Sequence, residues 1–69
     1  MKFSKLLGKI KEVFGTQEKF AKAMKMSRSA LCNRLNGTVD WKVEEVILAC
    51  ELLGIPFTEA FLYFFIKMS

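Results

Sequence analysis

The side chains best placed to do chemistry in this 69-residue sequence are its cations, and they are spread unevenly. Residues 1–39 hold nine of them (Lys2, Lys5, Lys9, Lys11, Lys19, Lys22, Lys25, Arg28 and Arg34) against Glu12 and Glu18, a net charge of +7. Residues 40–69 hold Lys42 and Lys67 against Asp40, Glu44, Glu45, Glu51 and Glu59, a net charge of −3, and the whole chain carries +4. Such a split implies a basic face for nucleic acid or another anionic surface, with the acidic half turned away. Lysine-rich faces also serve solubility alone, so charge needs a second signal before it selects a partner.

Other chemistry is excluded by what is missing. The sequence has no histidine, so it lacks the usual general base near neutral pH, any Ser-His or Cys-His nucleophile pair and imidazole ligands for zinc. An enzyme is not expected, nor a metal, a cofactor or a small-molecule ligand. Cys32 and Cys50 form no CxxC motif and read as reduced thiols of a cytoplasmic protein. No apolar run follows Met1-Lys2-Phe3-Ser4-Lys5, so a secretory signal is not expected. The most hydrophobic stretch, residues 52–66, is broken by Gly54, Pro56 and Glu59 and is too short to span a bilayer. Membrane attachment through it is disfavoured, because Lys67 is the only basic residue beside it and stable anchoring takes two signals.

The elements that must position these residues are short and evenly punctuated. Residues 1–69 read as one domain with no linker, repeat or low-complexity segment. Ser4 is placed to cap a first helix through Phe14, with Leu6, Leu7, Ile10 and Val13 at helical spacing and Gly15 at its end. Thr16 caps a second, residues 17–24, and Ser27 a third, residues 28–35, closed by Asn36-Gly37. Asp40 caps a fourth, residues 41–53, whose Val43, Val46, Ile47, Cys50 and Leu53 make the expected core stripe; Trp41 reads as an apolar anchor at its start rather than a platform for single strands. Beyond Pro56, Thr58 can cap a last helix over residues 58–65, although the uncharged run 60–66 suits an extended edge as well.

The second signal lies in the middle of the chain. Two short helices joined by Lys25-Met26-Ser27 have the geometry of a helix-turn-helix, with Ala21 small enough for the second helix to approach and Leu31 and Leu35 pointing back to the core. Here the sequence resembles the phage repressor and Cro-type (XRE-like) helix-turn-helix family. The matching residues are Gln17, Ala21, Met26, Ser29-Ala30-Leu31 and Leu35-Asn36-Gly37, and the later run Glu45-Val46-Ile47 to Ile55 is similar to the family's following helix. The likeness covers residues 4–56, and it departs at Lys25, where the family usually has glycine because the turn needs a positive φ.

The resemblance implies an all-α, five-helix lambda-repressor-like domain with its helix-turn-helix over residues 17–35. It also implies a sequence-specific transcriptional regulator that binds a palindromic operator as a homodimer in a bacterial cytoplasm. On this reading Arg28, Ser29 and Asn33 address base edges with Cys32 alongside; Arg suits guanine O6/N7 and Asn suits adenine N6/N7. Gln17, Asn36, Thr38 and Lys42 hold phosphates, and Lys19 adds attraction. The bland alternative for Arg28, Ser29 and Asn33 is an ordinary solvated helix face. A redox role for Cys32 has only moderate surrounding positive charge in its favour.

Apolar residues make up 52% of a chain just under the roughly 70–80 residues below which one core seldom supplies more than about 3–5 kcal/mol. The aromatic segment 57–66, with Phe57, Phe61, Phe64 and Phe65, therefore serves either to complete the core or as an interface with a second copy or a partner repressor. The partner-repressor case corresponds to a different function, an antirepressor or modulator, for which the face bearing Glu44, Glu45 and Glu51 is the other candidate surface.

Overall fold

In the computed structural model, which describes residues 3–64, the chain forms five α-helices and one 3-10 turn, with no strand among the described residues. They are α1 (Ser4–Phe14), α2 (Gln17–Ala23), α3 (Arg28–Asn36), α4 (Val43–Leu53) and α5 (Ala60–Phe64), the last preceded by the turn Phe57–Glu59. The all-α, five-helix class expected from the sequence is the one the chain adopts. Residues 60–64 are helical, while Phe65 and Ile66 lie outside the described residues.

One core holds the helices together. Leu6 and Ile10 of α1, Phe20, Ala21 and Met24 from α2 and its end, Leu31 and Leu35 of α3, and Val46, Ala49, Cys50 and Leu53 of α4 meet in it. Ile55, Ala60 and Phe64 close it from the C-terminal side. Full burial of side chains such as Phe20, Leu31 and Leu35 stabilises by about 1.5–3 kcal/mol each. Phe14 and Phe20 tie α1 to α2 with ring centroids 5.3 Å apart, and Trp41 meets Phe64 edge to face at 5.0 Å.

Three helices end in the same way. After α2, α3 and α4 a left-handed residue turns the chain back, at Lys25 (φ 61°), Gly37 (φ 82°) and Gly54 (φ 71°). The amide of the residue that follows each left-handed residue then reaches the carbonyl five residues before it: Met26 N–H to Ala21 O (3.0 Å), Thr38 N–H to Asn33 O (2.9 Å) and Ile55 N–H to Cys50 O (2.9 Å). Glycine adopts this conformation without a Cβ penalty at two of the endings, and lysine bears it at the third. Lys25 is the one non-glycine with positive φ among the described residues, at the position where the sequence departs from the family it resembles.

Several local expectations are corrected. Ser4 is the first residue of α1, preceded by Phe3 at the cap with no side-chain bond. Thr16 and Ser27 do cap α2 and α3, accepting from the Lys19 and Ala30 amides at 3.2 and 3.1 Å. Asp40 does not cap α4, which starts two residues later than expected with Lys42 at its cap, because Glu45 reaches back to accept from the Lys42 N–H at 3.0 Å. Thr58 sits inside the 3-10 turn and caps nothing. The core stripe of α4 is also rotated from the expected one: Val43 is 69% exposed and Ile47 exposed, while Ala49 takes a core position. A helix this apolar carries more hydrophobic residues than one face can bury, so some stay in solvent.

Candidate nucleic-acid interface

The short connection between α2 and α3 is what presents the polar face of α3. Its left-handed residue reverses the chain, Met26 packs against the core, and Ser27 starts α3 with its side chain on the Ala30 amide. Leu31 and Leu35 then fix the inward face of α3. Arg28, Ser29 and Asn33 are left exposed on the outside, with no side-chain hydrogen bond or ion pair to the protein among the described residues.

Arg34, one residue on, is handled in the opposite way. Its guanidinium donates to both carboxylate oxygens of Glu45 (Nε to Oε1 2.9 Å, Nη2 to Oε2 2.8 Å) and to the Ala30 carbonyl (3.0 Å). The pair is largely sheltered, and it bolts α3 to the first turn of α4. The Arg34 guanidinium pulls the Glu45 carboxyl below its ordinary range, helped by the Lys42 amide, and the carboxylate raises Arg34 in turn. In the sequence the two stand eleven residues apart and count only toward the charge of their halves. The capping-box spacing from Lys42 to Glu45 was the one signal available, and it named no cross-helix partner.

The other expected contacts fall around this face. Gln17 is half-buried at the start of α2, with its side-chain carbonyl 3.9 Å from the Cys32 thiol, so the two residues bridge α2 and α3. Cys32 is half-buried rather than open to solvent. Lys19 is exposed on α2, Asn36 at the end of α3, and Thr38 and Lys42 between α3 and α4, where the Thr38 and Val39 amides both bond to the Asn33 carbonyl. Gln17 and Arg28 also share an open cleft of about 380 Å³ with Lys11, Thr16, Gly15 and the α1 residues Leu7 and Ile10. Lys11 was not singled out in the sequence, because only the α1–α2 turn brings it there.

The aromatic segment divides. Phe64 is 3% exposed and belongs to the core, so its assignment to an interface is corrected: the edge-to-face contact with Trp41 and the closure over α1 and α4 consume it. Phe57 (63%) and Phe61 (55%) are exposed, as is Leu62, and Phe65 lies outside the described residues. Ile47, Cys50, Glu51, Ile55 and Phe57 line a shallow, mainly apolar groove of about 340 Å³. The Cys50 thiol is pushed up by burial and stays protonated. Trp41 is half-buried as an anchor, its Nε1–H enclosed with no acceptor among the described residues.

No group of three or more His, Cys, Asp or Glu among the described residues could hold a metal ion. No single helix there is long and apolar enough to cross a membrane; α4 and the segment from Phe57 to Phe64 are bent apart by 117°. Comparison with curated proteins finds no match. The family described as "Protein of unknown function (DUF739)" matches residues 1–67, nearly the whole length. The chain belongs to that family.

Proposed function

We propose that this protein is a sequence-specific DNA-binding transcriptional regulator of phage repressor or Cro type. It inserts α3 into the major groove of a palindromic operator, acting as a homodimer in the cytoplasm of a bacterial host. The observation that carries this reading is the polar face of α3: Arg28, Ser29 and Asn33 are exposed and unpaired beside a tight left-handed turn, whereas Arg34 on the same helix is tied down. Arg28 and Asn33 supply the bidentate donors and acceptors that discriminate bases, Ser29 and the rim of Cys32 add close contact, and Gln17, Lys19, Asn36, Thr38 and Lys42 hold the backbone.

Dimerisation fits the exposed Phe57, Phe61 and Leu62 together with Val43 and Ile47. Two copies double the phosphate contacts and set two recognition helices about 34–36 Å apart. Selecting bound sequences from a random DNA pool tests the whole reading: a palindrome is expected, and no enrichment overturns it. Arg28→Ala is expected to cost about 1–3 kcal/mol on the selected site and to relax one base pair; equal loss on random DNA removes Arg28 from the base readers.

The same exposed apolar surface favours a second reading, a modulator that binds another repressor. Glu45 is spent on Arg34, so the acidic face available to such a partner reduces to Glu44 and Glu51. Binding to random DNA that falls steeply with salt supports the first reading; flat, negligible DNA binding together with a stable complex with a purified repressor supports the second.

A further inference from the structure

The lysines of α1 are not equivalent. Lys5 lies over the Tyr63 ring, its Nζ 5.3 Å from the centroid, and Lys9 reaches Glu12 at 4.0 Å. Lys11 has no acidic or aromatic partner among the described residues, and it lines the cleft where the end of α1 meets the starts of α2 and α3. Arg28 stands on the same cleft, equally without an ion pair. Gln17 lines it as well, its side-chain carbonyl facing the Cys32 thiol and its NH₂ donors without a protein acceptor among the described residues. The floor is apolar, from Leu7 and Ile10, and no acidic side chain lines the cleft.

We infer that this cleft seats one phosphodiester group of the DNA backbone, held by Lys11 and the Gln17 amide with Arg28 at the border between backbone and base contacts. The inference rests on the DNA-binding reading and extends it to α1, outside the helix-turn-helix itself. Two cationic donors and an amide donor around an acid-free cleft match the charge and acceptor pattern of a phosphate.

Lys11→Gln, Lys11→Arg and Lys9→Gln are compared with the unaltered protein for binding to selected and random duplexes across a salt series. Lys11→Gln is expected to lower the slope of log affinity against log salt by about one and to weaken binding roughly fivefold at physiological salt, equally on both duplexes. Lys11→Arg and Lys9→Gln are expected to retain the original slope. An unchanged slope for Lys11→Gln, in a protein that binds DNA with normal salt dependence, overturns the inference and leaves the DNA-binding reading intact; so does a loss confined to the selected duplex. Should the unaltered protein bind no DNA, the functional reading falls. Titration with inorganic phosphate, followed through the Lys11 and Gln17 amide resonances, then decides the cleft. Saturable shifts lost in Lys11→Gln retain it as a small-anion site, and shifts that do not saturate remove it.

Discussion

On the side of α2 and α3 the residues left in solvent include Arg28, Ser29, Asn33 and the lysines around them, whereas the side of α4 and α5 leaves large apolar side chains there, Val43, Ile47, Phe57, Phe61 and Leu62, beside Glu44 and Glu51. The two sides share one core, so the difference lies in what each leaves uncovered. Polar groups in water cost the fold nothing, and their arrangement speaks only about ligands. Apolar surface in water forgoes about 25 cal/mol for every Å² left uncovered, which a domain of this size can recover by association. The polar side is therefore suited to a charged partner that comes and goes, and the apolar side to one that stays.

The comparison breaks most sharply at the two phenylalanines that the sequence treats alike. Phe64→Glu puts a charge into the core, and loss of the cooperative melt is expected, a cost beyond the roughly 3–5 kcal/mol of a large-to-small truncation there. A folded Phe64→Glu domain with unchanged helicity contradicts the placement of that ring. Glu45→Gln tests the bolt that holds α3 to α4. With the sheltered Arg34 left short of its partner, a loss of about 1–3 kcal/mol at neutral pH is expected in denaturant unfolding.

That bolt also has a pH signature. The folded Glu45 carboxyl titrates below its unfolded value, so its stabilisation is complete above about pH 5 and fades as pH falls through the carboxylate range. The acid limb of the stability profile is expected to flatten in Glu45→Gln. An unchanged limb assigns the acid sensitivity elsewhere.

Smaller effects sharpen the contrast. Lys25→Gly removes the Cβ penalty at the turn before α3, offset in part by glycine's extra freedom when unfolded, and a gain of about 1 kcal/mol in a thermal melt is expected. A lowered midpoint contradicts the turn. Phe61→Glu, by contrast, changes an exposed ring, so a stability change within about 0.5 kcal/mol is expected in the monomer, and under the proposed homodimer the mass in sedimentation is expected to fall to that of one chain. A mass unaffected by the change removes this face as the dimer contact.

Much of the fold is legible in the chain because local signals agree. Thr16 and Ser27 cap the helices they precede, and Gly37 and Gly54 end those they follow, each fixed by backbone chemistry within a few residues. The spacing of Leu31 and Leu35 likewise states which side of α3 is inward and leaves Arg28, Ser29 and Asn33 outside. Where signals compete, local reading fails. Asp40 and Lys42 both precede α4, and Glu45 settles the start by reaching back to the Lys42 amide while also holding Arg34 from another helix.

By itself, then, the sequence determined the helical class, the order and approximate limits of the helices, the sign of charge on each half and the outward residues of α3, since all of these depend on neighbours along the chain. Tertiary structure decided which of two similar phenylalanines is core, which face of an all-round apolar α4 is buried, which arginine is free and which is bolted down, and that Lys11 stands beside Gln17 and Arg28. Those outcomes depend on the angles at which helices meet, and no spacing within a single helix encodes what lies across from it.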